Sequence, residues 1–361
     1  MSSFKLSHPN RAGAKRWMIL VCASLTLGGA IASTTTFPAL GQPSNRPSQI
    51  SQMPSPAVIQ AIRQAVKRQF GISKINLVSA TEQSWPDGCL GLPSGQEICT
   101  TAIVPGWRVE VSDNLQTWVY RSDRTGQTLR LENPDRTVLP QAVARKLIRQ
   151  VARETKTPAA KLRVAAVRTQ LYDGCLGLYR PNQSCTEIAI FGRQAIITGP
   201  KQTFVYHLSQ NADRIVQNKT ASGAKRTIRV SFETFGEIAP IAANEIFRSS
   251  TSGDMTGRMV SIVLTQDGKI TRYQSSPTER FAPVLIKTLS KQQLSAFQET
   301  LENRQFPNLN GLSYLTSAAL ADYPTMTYQI PSAATQFIDL EQERLPRSLQ
   351  QVIMSWNALI Q

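Results

Sequence analysis

The sequence is poor in the side chains that most often carry out catalysis or bind transition metals. Its 361 residues include only 2 histidines and 5 cysteines, and aromatic residues make up 7% of the chain. It contains no Gly-x-Ser-x-Gly nucleophile motif, no His-Glu-x-x-His zinc motif and no glycine-rich loop of the kind that binds phosphate or a dinucleotide. We therefore predict that the protein is not an enzyme, that none of its residues is catalytic, and that it carries no cofactor and no metal.

The sequence also has no long apolar run beyond its first 40 residues, which excludes a protein that crosses a membrane several times. Near the start, 4 basic residues precede a 16-residue apolar stretch over 17–32 that is too short to span a bilayer. We expect a signal peptide over 1–41 and a polar leader over 42–54. Cleavage after Ala32, cleavage after Gly41 and retention as an anchor all stay open. The expected location is periplasmic or secreted, with no integral membrane span after signal removal.

An internal duplication is the strongest pattern in the chain. The motif Asp-Gly-Cys-Leu-Gly-Leu occurs at 87–92 and again at 173–178, which gives an offset of 173 − 87 = 86 residues. A Cys-Thr pair, a glycine and a Thr-x-Val-Tyr segment recur at the same offset, for 12 identities in all. The aspartates Asp87 and Asp173 are explained by Asp-Gly turns, without any role as an acid or a base.

The cysteines of the duplicated segments predict disulfides. Loss of the signal would remove Cys22 and leave 5 − 1 = 4 cysteines, an even number that favours disulfides in an exported chain. In each copy the two cysteines are separated by 9 residues, and a bridge that closes such a loop stabilises a small domain by about 3 kcal/mol. We predict the pairs Cys89–Cys99 and Cys175–Cys185. A zinc site is the competing interpretation, but structural zinc ligands usually come as close pairs, which this sequence lacks.

The periodicity of apolar residues predicts an α+β fold with three parts. Each copy begins with a helical pattern, over 56–70 and 140–154, and continues with alternating segments typical of antiparallel strands. In the first copy the predicted strands are 74–81, 98–104, 107–111, 117–121 and 128–131. We therefore expect two tandem repeats of a helix on a small sheet, which we call repeat 1 (55–138) and repeat 2 (139–219).

The last third of the chain, 223–361, lacks cysteine and predicts a separate α+β domain, which we call the C-terminal domain. Its pattern runs from strands to a helix that opens at Ser290 and extends through Phe306, then to a hairpin and a final helix after Pro346. The hairpin is expected to pair 325–330 with 336–340. The polar stretch 207–225 is interpreted as the connection between repeat 2 and this domain.

Positive charge is concentrated in repeat 2. The chain has 40 basic and 24 acidic residues, a net charge of +16. Repeat 2 holds 13 basic and 4 acidic residues, so its net charge is 13 − 4 = +9, whereas repeat 1 and the C-terminal domain each carry +1. Four of these bases lie on the predicted helix of repeat 2: Arg145, Lys146, Arg149 and Arg153. We predict that they bind an anionic polymer or lipid of the cell envelope. The alternative is a solvated surface without a ligand, and nucleic acid is not an expected partner because no recognised module accompanies the charge.

Two tryptophans and one histidine are also considered as candidate site residues. Trp85 and Trp107 are expected near loops of repeat 1, where rigid aromatic side chains would form a binding surface for a protein partner. At the offset of 86, Trp85 corresponds to Leu171. The histidine that follows the second Val-Tyr pair, His207, corresponds to Arg121 in repeat 1, which indicates a tolerant surface position.

Two resemblances add to this interpretation. The Trp85–Leu92 run, with Cys99 and the Pro-Gly-Trp-Arg-Val segment over 105–109, resembles a two-cysteine module of exported cyanobacterial proteins, which implies no particular activity. The C-terminal domain resembles emfourin-type metalloprotease inhibitors in Leu-Ser-x-x-Gln-Leu over 289–294, Phe-Pro-x-Leu over 306–309, Ala-Asp-Tyr over 321–323 and Leu-Pro-x-x-Leu over 345–349.

Together these observations predict an exported, non-enzymatic binding protein. The emfourin resemblance implies a protease inhibitor-like module with an exported protease as its partner. The alternative is an envelope-associated structural protein that binds an anionic component through repeat 2.

Overall fold

A computed structural model describes residues 53–94, 97–132, 138–233, 241–252, 257–316 and 324–361. The signal peptide expected over 1–41, most of the polar leader and the segment 321–323 lie outside these ranges. Helices and antiparallel sheets alternate through the described residues as two four-stranded sheets and one eight-stranded sheet. The predicted α+β fold class is therefore confirmed, and its three parts belong to one compact unit.

Repeat 1 is a helix packed on a four-stranded antiparallel sheet. Its elements are α1 (Pro56–Phe70), β1 (Asn76–Trp85), β2 (Val104–Ser112), β3 (Thr117–Asp123) and β4 (Leu129–Leu131), and the strands lie in the order β1-β2-β3-β4. Ser55 caps α1, and Gly71 ends it in the left-handed conformation. The strand predicted over 98–104 is wrong, because residues before Val104 form an irregular segment bonded to the Asp-Gly turn instead.

Repeat 2 also consists of a helix and four antiparallel strands in the same order, with one short 3-10 helix (Ala159–Lys161) added after its α-helix. The helix and the strands are α2 (Gln141–Thr155), β5 (Arg163–Tyr172), β6 (Ile190–Thr198), β7 (Thr203–Ser209) and β8 (Ile215–Gln217). The prediction that 207–225 is a connection is wrong for its first half, because these residues include the end of β7 and all of β8. This stretch has few apolar residues, but β7 pairs with β6 and β8 pairs with β7, so its first half belongs to the sheet.

The sheet of repeat 2 is covered on both faces. On one face, Leu147 and Val151 of α2 form a core with Phe204. On the other face, Ile196 and Val205 belong to the core of the C-terminal domain. Since neighbouring strand residues point to opposite faces, residues 194–197 of β6 and 203–208 of β7 are all buried, whereas Phe191 near the start of β6 is exposed.

The C-terminal domain is an eight-stranded sheet with two helices. Its elements are β9 (Arg229–Phe232), β10 (Glu245–Ser252), β11 (Met259–Thr265), β12 (Lys269–Ser275), β13 (Val284–Thr288), α3 (Lys291–Asn303), β14 (Leu312–Leu315), β15 (Thr325–Ile330), β16 (Ala333–Ile338) and α4 (Arg347–Ile360). The strand order is β13-β12-β11-β10-β15-β16-β14-β9, and among the described strand pairs of this sheet only β14–β16 is parallel. Phe247 anchors the core, with ring centroids 4.7 Å from Trp356 and 5.1 Å from Phe297.

The structure confirms some of the predicted elements of this domain and corrects the bounds of others. The capping box at Ser290 is present, but α3 ends at Asn303, and Gln305 is left-handed. The hairpin of β15 and β16 is present, although β16 begins at Ala333 rather than at 336. No described helix of the protein is long and apolar enough to cross a membrane.

Candidate functional site

Each repeat contains a disulfide-closed loop of the same construction. Cys89 and Cys99 are joined, as are Cys175 and Cys185, with 5.5 Å between the Cα atoms in both pairs. In repeat 1, Oδ1 of Asp87 accepts hydrogen bonds from the amides of Cys89 (2.9 Å) and Gly91 (2.8 Å).

The second loop repeats these bonds, with Asp173 accepting from Cys175 at 3.0 Å and Gly177 at 2.9 Å. Leu90 and Leu176 both adopt φ 59°, and their carbonyl groups accept hydrogen bonds from Arg121 and His207, respectively. The aspartate of each loop lies within 4.8 Å of the two sulfur atoms. Because these sulfurs are bonded to each other, they offer no thiolate to a metal ion.

Beneath the loop of repeat 1 lies a cluster of charged side chains. The side chain of Glu132 is 2% exposed and makes ion pairs with Arg108 (2.9 Å), Arg121 (3.2 Å) and, from β9 of the C-terminal domain, Arg229 (2.5 Å). Arg121 also donates to the carbonyl of Leu90 at 2.8 Å, which ties the cluster to the loop. Burial alone would raise the pKa of Glu132, but the arginines, Arg229 foremost, lower it below its ordinary value.

Repeat 2 has uncharged groups at the same three positions. At the offset of 86, Arg108, Arg121 and Glu132 correspond to Gln194, His207 and Asn218, and both sheets have the same register there. This second cluster also joins repeat 2 to the C-terminal domain, because Nδ2 of Asn218 donates to the carbonyl of Asn308 at 2.7 Å.

Sequence reasoning missed both clusters. One signal in the sequence could have revealed them. Three charged residues of repeat 1 are all replaced by uncharged polar residues at the equivalent positions of repeat 2, 86 residues later.

His207 lies at the centre of the second cluster and is only 4% exposed. Nδ1 donates to the carbonyl of Leu176 (2.7 Å), so Nε2 accepts from the amides of Gln194 (3.0 Å) and Asn218 (3.3 Å). Tyr172 stacks on the ring with centroids 5.1 Å apart. The expectation of a tolerant surface position is therefore wrong: His207 replaces Arg121 as the donor to the loop carbonyl.

Burial lowers the pKa of His207 from its ordinary value of 6.5 to about 4, against the opposing effect of the Leu176 carbonyl. The guanidinium of Arg168 contributes to this lowering of the pKa. Arg168 itself reaches the C-terminal domain, donating to the carbonyls of Asn310 (3.0 Å) and Gly311 (3.2 Å). The neutral imidazole is thus part of a polar interface between repeat 2 and the C-terminal domain.

The two tryptophans predicted to form a binding surface are buried. Trp85 is 2% and Trp107 is 5% exposed, and both lie in strands rather than loops. Trp85 donates to the carbonyl of Ser122 (3.0 Å), and Arg121 stands 4.6 Å above its ring. These side chains offer no open contact surface, which corrects the sequence-based expectation.

The strand register also shows that the sequence assigned the wrong residue of repeat 2 as the equivalent of Trp85. Trp85 pairs with Val104, and Tyr172 pairs with Ile190, its counterpart at the offset of 86. Trp85 therefore corresponds to Tyr172 and not to Leu171, because repeat 1 has one extra residue, Pro86, before its Asp-Gly turn.

The predicted basic residues form an open face on α2. Arg145, Lys146, Arg149 and Arg153 are all exposed, while Ala144, Leu147, Ile148 and Val151 on the inner face are buried. The one acid of the helix, Glu154, accepts hydrogen bonds from Tyr206 (2.6 Å) and Gln150 (2.8 Å). Among the described residues, none of the four bases forms an ion pair. We call these four residues the α2 basic face.

Comparison with known proteins identifies only part of repeat 1. No curated protein and no solved structure matches the chain. Residues 59–131, which extend from α1 to β4, match a family described as Domain of unknown function (DUF8738).

Proposed function

We propose that this protein is an exported, non-enzymatic binding protein whose repeat 2 holds it on an anionic envelope surface through the α2 basic face. One observation carries the proposal: four cationic side chains lie exposed on one helix, and its single acid is bonded to Tyr206 and Gln150. The ligand chemistry is a dense array of phosphate or carboxylate groups.

The spacing of the α2 basic face supports this proposal. Arg145, Arg149 and Arg153 follow one another at four-residue intervals, which places them in one row about 6 Å apart along the helix axis. Like charges at this spacing repel each other and destabilise a helix. A row of cations that lowers the stability of its own helix is consistent with selection for an anionic ligand.

The position of α2 in the fold supports it as well. The inner face of the helix packs on one side of the repeat 2 sheet, and the C-terminal domain packs on the other side. The outward face of α2 is thus on the far side of the sheet from the C-terminal domain. An extended anionic surface could meet it without displacing any described element.

Binding of inorganic polyphosphate to the full-length protein at low salt tests the proposal. The variant Arg145→Gln/Lys146→Gln/Arg149→Gln/Arg153→Gln should bind at least tenfold more weakly than the wild type. The matched control changes the exposed bases of α1, Arg63→Gln/Lys67→Gln/Arg68→Gln, and should bind within about threefold of the wild type. The two variants remove four and three positive charges, so an equal loss of binding per charge removed would show that only the net charge matters and would refute a site on α2.

A second proposal concerns the C-terminal domain, where the emfourin resemblance implies protease inhibition. Strand β13 forms one edge of the eight-stranded sheet, with Val284 and Leu285 47% and 54% exposed. An edge strand with open backbone groups can pair with an extended chain of another protein. Inhibition assays against exported metalloproteases test this proposal, and no effect at micromolar protein would exclude it.

A further inference from the structure

Repeat 2 exposes a pair of large apolar side chains near the end of its first hairpin. Leu171 in β5 and Phe191 in β6 are 60% and 68% exposed and lie opposite each other in the strand register. Together with Thr169 and Arg193 they line a shallow cleft of about 320 Å³. We call Leu171 and Phe191 the apolar pair.

The apolar pair lies on the same face of the sheet as α2. Val167 of β5 and Ala195 of β6 belong to the core between the sheet and α2. Leu171 follows Val167 by four residues and Phe191 precedes Ala195 by four, with no register shift between them. Because strand residues alternate between faces, the apolar pair points to the side of α2 and away from the C-terminal domain.

Repeat 1 lacks this feature. The strand register places Ser84 and Pro105 of repeat 1 where repeat 2 has Leu171 and Phe191. Repeat 1 also has a net charge of only +1, against +9 for repeat 2. Repeat 2 thus differs from repeat 1 in its excess positive charge and in the exposed apolar pair, and the α2 basic face lies on the same side of the sheet as that pair.

We infer that the partner of repeat 2 is the surface of an anionic lipid bilayer, with the α2 basic face at the phosphate headgroups and the apolar pair inserted beneath them. The inference rests on the proposed function and narrows it to one ligand class. Positive charge complements an anionic headgroup, and exposed apolar side chains gain free energy only where hydrocarbon is available. A soluble polyanion would use the charges and leave Leu171 and Phe191 in water.

Co-sedimentation of the full-length protein with phosphatidylglycerol vesicles tests the inference. The variant Leu171→Ser/Phe191→Ser should bind these vesicles at least tenfold more weakly than the wild type, because two apolar side chains no longer leave water. Its polyphosphate binding should stay within twofold of the wild type. The control Ile103→Ser, which alters a 73% exposed side chain of repeat 1, should bind vesicles like the wild type.

A second measurement does not depend on the loss of binding. In the variant Phe191→Trp, lipids brominated in their acyl chains should quench the added tryptophan emission when vesicles contain phosphatidylglycerol. Vesicles of phosphatidylcholine alone should produce no such quenching.

The outcomes separate the inference from the proposed function. The lipid assignment would be overturned if Leu171→Ser/Phe191→Ser left vesicle binding unchanged. It would also be overturned if the wild type bound polyphosphate but not vesicles. Either result would leave the proposed anionic site on α2 standing. Equal binding to phosphatidylcholine vesicles would also overturn it. Binding to neither probe would refute the proposed function and the inference together.

Discussion

At the scale of single residues, each repeat contacts the C-terminal domain through a polar cluster built at the same three positions, with different chemistry in the two repeats. Repeat 1 places one carboxylate among arginines, and Arg229 of β9 completes the cluster. Repeat 2 places a neutral histidine between two amides, and Asn218 reaches Asn308. In repeat 1 the loop carbonyl of Leu90 accepts a hydrogen bond from Arg121, and in repeat 2 that of Leu176 accepts one from His207. These polar groups specify how the domains dock, and each can be tested by a single change.

We expect Glu132→Gln to destabilise the protein by about 3 kcal/mol, because it removes the charge that compensates three guanidinium groups. This value is at the lower end of the range for breaking a buried ion pair, since the arginines are partly exposed. Urea unfolding provides the measurement. The control Glu82→Gln breaks an exposed pair with Arg124 and should cost less than about 1 kcal/mol. Similar effects of the two changes would contradict a buried cluster.

We expect His207 to make the protein less stable in acid. Its pKa is lowered to about 4 in the folded protein and is near 6.5 in the unfolded chain. Above pH 6.5 both states hold a neutral ring. As the pH falls from 6.5 towards 4, the unfolded chain takes up a proton that the folded protein does not, so stability falls.

Comparison of wild type and His207→Gln by urea unfolding at pH 7 and pH 4.5 isolates this contribution. Between the two pH values the wild type should lose about 2.5 kcal/mol more than the variant. Other groups titrate in both proteins, so their contributions cancel. An identical pH dependence would mean that His207 is not held neutral.

At the scale of elements, most of what could be predicted came from local signals. The helices α1, α2, α3 and α4 and the tight hairpins follow from apolar periodicity, capping residues and Asp-Gly turns, which act within a few residues. The segment after Cys99 alternates like a strand, but its backbone bonds to the Asp-Gly turn, as in Gly88 donating to Thr100 at 2.9 Å. Short strands such as β14 depend on partners distant in sequence, which no local pattern reveals.

Only part of the candidate site could be predicted from the sequence, because local spacing is visible there and contacts between distant residues are not. The bases of α2 were found because helical spacing places them on an outer face. The burial of Trp85 was missed because it depends on contacts across the sheet with Ser122 and Arg121. The exposure of Leu171 and Phe191 was missed because alternation alone would assign them to the core side of the sheet.

The row of bases on α2 should lower the stability of its own helix. We expect Arg149→Gln to raise the free energy of unfolding by about 0.5–1 kcal/mol, because Arg149 has Arg145, Lys146 and Arg153 as like-charged neighbours. Arg63→Gln in α1 has a single such neighbour, Lys67, and should gain only about 0.3 kcal/mol. Chemical denaturation at low salt measures both values. A loss of stability in Arg149→Gln would indicate a structural role for this side chain and weaken the case for a ligand.

At the scale of the whole molecule, repeat 2 forms a middle layer. Its sheet carries α2 and the apolar pair on one face and docks the C-terminal domain on the other. A protein held by the first face would present the C-terminal domain on the opposite side, with β13 at the sheet edge available for a partner. Under the two proposals, this arrangement would separate the surface that attaches the protein from the surface that binds a protein partner.

The salt dependence of polyphosphate binding tests the central claim most directly. Each cation that contacts the polyanion releases counterions, so the logarithm of the association constant falls linearly with the logarithm of salt concentration, by roughly 0.7–0.9 per contact. Removing all four bases of the α2 basic face should therefore reduce the magnitude of the slope by about 3, whereas the α1 variant should change it by less than about 1. A slope that the α2 changes leave unaltered would contradict the assignment of the anionic site to α2.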